Sequence, residues 1–323
     1  MTKKENTLEV LCWGKPEYTP LATDSIQFVG MIPGDFDGPQ KGGKDLFGIP
    51  WVPGKEGAMV AAGYHMFDDI SEWDKYIKRP DLSIYDFKKF AEMEYGMIDS
   101  SEKVRTLFCQ NGVFMKLVNS MGFMEGLMAL VEDPEACMDM FDYLTGYVLD
   151  YMERAIDAYR PDMVTYFEDI ATAGSLFMSL DTYRTLLKPF HKRIVDFVHS
   201  KGLLFQMHTC GKCEDALGDY VDIGVNAWHS AQITNDLEGI LQKYHGKLVV
   251  EGGWDSQGLP GMVQADEETV RKETRRCMES YGKYQGFILS PTMFNEKGNS
   301  VLVGDERLDY VKNEWEKCCK EQK

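Results

Sequence analysis

The chain has 323 residues, 44% of them hydrophobic, and a formal net charge of −17 at pH 7. That length and apolar content are ample for a sizeable core, while the negative charge repels phosphate backbones and argues against nucleic acid as a partner. No apolar run reaches the roughly 18 residues of a spanning helix, and the start, Met1-Thr2-Lys3-Lys4-Glu5-Asn6, has no apolar stretch behind its basic residues, so neither a membrane protein nor a secreted one is expected. Eight cysteines without dense even spacing read as reduced thiols of a cytoplasmic protein. The acidic surface reads as solubility, with docking of a basic protein as the alternative.

Short apolar strands alternate with amphipathic helices along the chain, the pattern of a parallel sheet with crossover helices. Ser25–Gly30 is a strand candidate within an irregular first hundred residues. The Gly- and Pro-rich stretch from Pro33 to Pro53 reads as a long loop, a candidate lid. Thr106–Gln110 is the next strand, and Asp133 with Pro134 marks the N-cap and first turn of a long helix. Asp162–Glu168 is a strand, followed by a helix over 182–200 whose Leu186, Phe190, Ile194 and Val198 fall four apart, with Gly202 at its stop. Leu203–His208, Val225–His229, Leu248–Glu251 and Phe287–Ser290 complete the strands. A closed eight-stranded barrel and an open doubly wound sheet both fit. The lack of a Gly-rich phosphate loop after an early strand disfavours a nucleotide-binding sheet.

In either architecture the chemistry sits at the C-terminal ends of the strands. Those ends carry Glu168-Asp169, His208-Thr209-Cys210, Trp228-His229, Glu251 with Trp254 beyond it, and Ser290-Pro-Thr-Met293. His208 and Cys210 lie two apart, so an extended backbone puts both on one face, as half of a zinc site. A buried histidine beside a packed thiol is the plain alternative. Cys210 and Cys213 also form a Cys-x-x-Cys pair, which admits a redox dithiol. Glu168 and Asp169 suit an acid/base pair or metal ligation, against a helix-start cap or hydrogen-bond anchor. His229 is expected to line the pocket. Glu251 precedes Gly252-Gly253, where backbone can approach a ligand or simply turn.

The run Gln206-Met-His-Thr-Cys-Gly211 is similar to the His-x-Cys-Gly segment of the corrinoid-linked, zinc-dependent methyltransferases of the uroporphyrinogen decarboxylase superfamily. Gly122-Phe-Met-Glu-Gly126 followed by Asp133-Pro-Glu, and Asp45-Leu-Phe-Gly-Ile49 with Trp51, resemble further family segments. The resemblance runs from about residue 40 to about residue 310. It implies a (β/α)8 TIM-type barrel with an irregular N-terminal segment, in one domain over 1–323. The main part of the barrel falls at about 101–310, after an N-terminal segment at about 1–100. The arginine-bearing Met-Arg-Gln-Ala-Gly-Arg motif of true uroporphyrinogen decarboxylases has no counterpart, since Gln27–Pro33 contains no arginine. Binding a poly-carboxylate needs fixed cations, so porphyrin decarboxylation is disfavoured.

In the methyltransferase branch the resemblance implies zinc on His208 and Cys210, a Glu after the following strand and a late Cys. This chain has Gln232 and Thr292-Met293-Phe294 in those places, and amide oxygens and thioethers suit zinc poorly. Glu168 is the expected replacement ligand, ahead of His229 and Cys213. The implied activity is methyl transfer from a small methylated substrate, such as an aryl methyl ether, to cobalamin or another corrinoid carried by a partner protein. Glu168, Asp169 and His229 are the expected catalytic residues. Tyr166, Trp228, Trp254 and Phe294 are the expected aromatic wall, with Glu251 and Met293 also toward substrate. The alternatives are a metal-free decarboxylase-like lyase and a degenerate ligand-binding barrel. A homodimer is left open.

Overall fold

The computed structural model describes residues 1–30, 38–39, 41–54, 57–110, 112–296 and 304–321. Among the described residues ten strands are present: β1 (Ile26–Val29), β2 (Gly43–Lys44), β3 (Pro50–Gly54), β4 (Gly57–Val60), β5 (Val104–Cys109), β6 (Met163–Phe167), β7 (Leu204–His208), β8 (Ala227–Ala231), β9 (Val249–Gly253) and β10 (Phe287–Ser290). Seven of them pair in the order β1-β5-β6-β7-β8-β9-β10, every pair parallel. From β5 onward the strand order follows the chain with no reversal. A doubly wound sheet must reverse at a switch point, so this order selects barrel winding.

The expected eighth strand is absent among the described residues. The gap between β10 and β1 is bridged instead at one position, where Leu21 pairs with Leu289 and the Leu289 N–H donates to Pro20 O at 2.9 Å. Neighbouring stitches join the same two regions. Thr19 Oγ1 donates to Gly282 O at 3.0 Å, Trp315 Nε1 donates to Thr19 O at 2.8 Å, and Lys312 pairs with Asp24 at 2.8 Å.

Alternation along each strand sorts its side chains to two faces. Leu107, Val164, Tyr166, Phe205, Met207, Trp228 and Val250 join the main core beneath the helices. Their neighbours point into the barrel. At its floor Ile26, Val104, Met163, Ala227, Val249 and Ile288 pack against Val10 and Leu11 of the helix Lys3–Leu11, which plugs the N-terminal end. Above them comes a polar layer of Thr106, Thr165, Gln206 and Glu251, all buried. Phe28, Phe108, Phe167, His208 and His229 stand above that and face an open cavity. Closing the floor with apolar side chains leaves ligand entry to the C-terminal face.

The helix expected over 182–200 spans Leu180–Ser200 and contains a π-turn at Tyr183–Leu187. Asp133 caps the 26-residue helix Pro134–Tyr159 by accepting from Ala136 N at 3.1 Å. The stretch 33–53 departs from expectation. Residues 33–37 and 40 lie outside the described residues, but β2, β3 and β4 form an antiparallel meander where a loop was expected. Asp45 holds it. Its carboxylate accepts from Phe47 N, Ile49 N and Trp51 Nε1, and pairs with the buried Lys116 at 3.2 Å. Glycine and proline mask this strand pairing because the anchoring contact is distant in sequence. No single described helix is long and apolar enough to cross a membrane.

Candidate metal centre and active site

β7 ends at His208, and the chain then turns through Cys210 and Gly211. Gly211 has φ +83°, which favours glycine, and a Cβ there would collide with the backbone oxygen of Thr172. The turn therefore packs directly on the loop after β6, which carries Asp169. The Cys210 N–H donates to Asp169 Oδ1 at 2.7 Å. Cys210 Sγ lies 3.3 Å from His208 Nε2, and Asp169 Oδ1 lies 3.9 Å from the same nitrogen. The donor atoms of Asp169, His208 and Cys210 all fall within 4.8 Å of one another.

This trio of one nitrogen, one sulfur and one oxygen matches what a zinc ion accepts, and three protein donors leave a fourth position open, as in catalytic sites. Burial pushes the Cys210 thiol well up, with Asp169 adding to the effect. Burial likewise raises the Asp169 carboxyl, against the Cys210 amide that favours its charged form. Burial holds His208 well below the usual imidazole range, and His229 lowers it further. Without a cation the set is therefore biased toward neutral forms. A cation entering it would displace protons and restore the charge that the donors need.

His208 is held on two sides. Its ring stacks on Phe167 at 4.1 Å with 25° between planes, and its Nδ1 lies 2.7 Å from His229 Nδ1. Burial lowers His229, opposed by Glu251, whose Oε1 is 3.7 Å from His229 Nε2. Phe108 packs on Phe167 at 4.5 Å and Phe28 packs on Phe108 at 5.9 Å, so an aromatic wall continues away from the donor trio. The trio and this wall line one cavity of about 1630 Å³.

Several expected site residues occupy other positions. Glu168 is fully buried and does not line the cavity. It accepts from Phe114 N at 3.2 Å and Met115 N at 3.0 Å, and it lies 3.2 Å from His191 Nε2, so it serves as the hydrogen-bond acceptor at the start of the helix Val113–Met121. Asp169 stands where Glu168 was expected as ligand. Tyr166 and Trp228 sit on the outward faces of β6 and β8 and are wholly buried, Tyr166 donating to Glu168 and Trp228 to Thr209 O. Alternation requires this once Phe167 and His229 face inward. Trp254 and Met293 are core residues too. Phe294, Glu251 and His229 line the cavity as expected. Gln232 lines it as well, with its Oε1 accepting from Gly211 N at 3.2 Å, so it braces the turn. Cys213 is buried in the core and does not line the cavity, so the dithiol reading has no second thiol beside Cys210 there. Phe28, Phe108 and Phe167 were missed, although counting back by twos from an inward His208 and across the register finds them.

The sequence pattern of the uroporphyrinogen decarboxylase family matches residues 112–293, more than half of the chain. The chain belongs to that family. No curated protein matches it in sequence. Among solved structures it is similar to a methyltransferase from Methanosarcina mazei, at 12% identity and a TM-score of 0.71, over 98% of this chain and 99% of that one. At that identity the likeness concerns the fold alone. A 3-keto-D-glucoside 4-epimerase from E. coli, at 12% identity over 80% of this chain and 97% of that one, reaches a TM-score of only 0.40 and carries no argument.

Proposed function

We propose that this chain is a methyltransferase that takes a methyl group from a small methylated substrate, an aryl methyl ether in our reading, and passes it to a corrinoid held by a partner protein. The observation that carries the proposal is the donor trio of Asp169, His208 and Cys210 at one end of an aromatic wall inside a single cavity. Family membership and the fold shared with a methyltransferase agree with it. Among the described residues the cavity is lined by no arginine and by one lysine, Lys103, so a substrate bristling with carboxylates finds little counter-charge.

Asp169, His208 and Cys210 would hold a zinc ion, which when bound supplies Lewis acidity at a leaving oxygen. Phe167, Phe108 and Phe28 offer flat faces on which an aryl ring can stack, with the ether oxygen directed at the trio. Phe294 lines the same cavity from the loop after β10. A reduced corrinoid, when the partner brings it, would supply the electron pair for the new bond to the methyl carbon, and the ether oxygen would keep the pair of the broken C–O bond. A cavity of about 1630 Å³ leaves room beside a small substrate for part of a partner's cofactor.

The test supplies the purified chain with a reduced corrinoid protein and a panel of methoxylated aromatics, and follows the cobalt absorption spectrum. Methylation of the corrinoid that requires both the chain and substrate supports the proposal. Silence across the panel, together with turnover of a carboxylated substrate without any corrinoid partner, would replace it with the lyase reading.

A further inference from the structure

We infer that Glu251 and His229 act as a positioning pair that fixes the tautomer of His208, leaving its Nε2 lone pair aimed at Cys210 and Asp169. The inference rests on the donor-set reading given above. It begins with the 2.7 Å separation of His208 Nδ1 from His229 Nδ1. Two imidazole nitrogens this close need one proton between them, so one ring donates and the other accepts.

The neighbours decide which ring donates. Glu251 is buried, and its Oε2 accepts from Gln206 Nε2 at 2.7 Å. The Gln206 amide is itself oriented, because its Oε1 accepts from Thr165 Oγ1 at 2.7 Å, and Thr165 meets Thr106 Oγ1 at 2.6 Å. Turning that amide over would bring two oxygens together at the Glu251 end. The other Glu251 oxygen faces His229 Nε2 at 3.7 Å. A carboxylate there attracts a proton and donates none, so it holds the His229 proton on Nε2. His229 Nδ1 is then the acceptor, His208 Nδ1 carries the shared proton, and His208 Nε2 is bare.

A second contact agrees with this assignment. Cys210 Sγ lies 3.3 Å from His208 Nε2, where an S–H can donate to a bare nitrogen. Metal-bound histidines generally direct their second ring nitrogen to an oriented partner, and losing that partner weakens metal affinity by about 10–100-fold. Here the partner is another histidine, oriented in turn by a carboxylate.

The experiment has two readouts on the full chain. Ring-nitrogen NMR of the metal-free protein, with ¹⁵N-labelled histidine, reads the tautomer directly. We expect His208 protonated on Nδ1 and His229 on Nε2. Zinc affinity, from competition with a chromogenic chelator, is then compared between the wild type and Glu251→Gln. The amide can donate to His229 Nε2 and reverse both rings, so we expect His208 to shift its proton to Nε2 and zinc affinity to fall by about 10–100-fold. A wild-type His208 protonated on Nε2 overturns the inference even if the variant does not fold. Unchanged zinc affinity in a folded Glu251→Gln protein overturns it as well. A wild type that binds no zinc defeats the donor-set reading, and the NMR result still decides the positioning pair.

Discussion

Glu168 and Asp169 are adjacent in the chain yet serve different parts of the fold: Glu168 anchors the start of the helix Val113–Met121, and Asp169 holds the Cys210 amide at the cavity. Their substitutions should separate cleanly. Glu168→Ala strips an acceptor from two backbone amides and from Tyr166, and leaves His191 without its carboxylate. We predict a stability loss of about 3–5 kcal/mol, the scale for breaking a buried, hydrogen-bonded pair. Asp169→Asn keeps an oxygen for Cys210 N, so its stability should change by less than about 1 kcal/mol while zinc binding weakens. Urea unfolding beside a zinc titration checks both. A larger stability loss in Asp169→Asn than in Glu168→Ala would reverse this assignment.

Phe167 connects the donor trio to the aromatic wall through its contacts with His208 and Phe108. We predict that Phe167→Ala weakens binding of methoxylated aromatics by about tenfold or more, the equivalent of about 1.4 kcal/mol. Calorimetric titration of the folded variant measures this. Binding equal to wild type would remove the wall from the substrate site.

Gly211 sets the turn that presents Cys210. Both its positive φ and the closeness of Thr172 O oppose a side chain. An unstrained Gly→Ala replacement stabilises by about 0.4–1 kcal/mol, whereas Gly211→Ala should destabilise by more than that and displace Cys210 from His208. Thermal unfolding and zinc affinity should fall together. A variant with wild-type values of both would mean that the turn tolerates a Cβ.

Asp219 supplies a pH dependence far from the site. Its side chain is buried, which alone would raise its pKa, but hydrogen bonds from Arg184 and Lys188 bring the net value below the ordinary carboxylate range. A carboxylate lowered on folding contributes stability above its unfolded pKa of about 3.9 and loses it as pH falls through the folded value. Arg184 is half exposed, so solvent screening limits the contribution to about 1 kcal/mol. Asp219→Asn should be less stable than wild type by that amount at pH 7, and the difference should be smaller at about pH 3. Chemical denaturation at the two pH values tests the sign, and a gap that widens in acid contradicts it.

The strands of the second half were legible because each is a short apolar run between helices, and β10 spans the residues expected of it. His208 and Cys210 were legible as neighbours from their spacing of two, although Cys210 lies beyond the last residue of β7 and the turn through Gly211 sets its position. The same rule, applied to neighbours, separates Trp228 from His229 and Tyr166 from Phe167, so an aromatic wall built from Tyr166 and Trp228 could not hold. Glu168 and Asp169 lie beyond the last residue of β6, where alternation gives no guidance. Their roles follow from which helix start and which turn pack beside them. The meander at β2–β4 was hidden for a similar reason, since Asp45 meets Lys116 only in the folded chain.

The contacts that tie residues 19–24 to the C-terminal part of the chain impose an order on biosynthesis. They join residues 263 to 296 positions apart, so Thr19 and Asp24 wait for partners that leave the ribosome last. At about 5–20 residues per second that delay is roughly 13 to 60 s. Through it Val10 and Leu11 lack Ile288, one of the floor residues in their cluster. A nascent chain arrested before residue 287 should therefore display its first thirty residues to protease and to chaperones, whereas the released protein should protect them. Equal protection in the arrested chain would show that the opening helix finds its place before the ring can close.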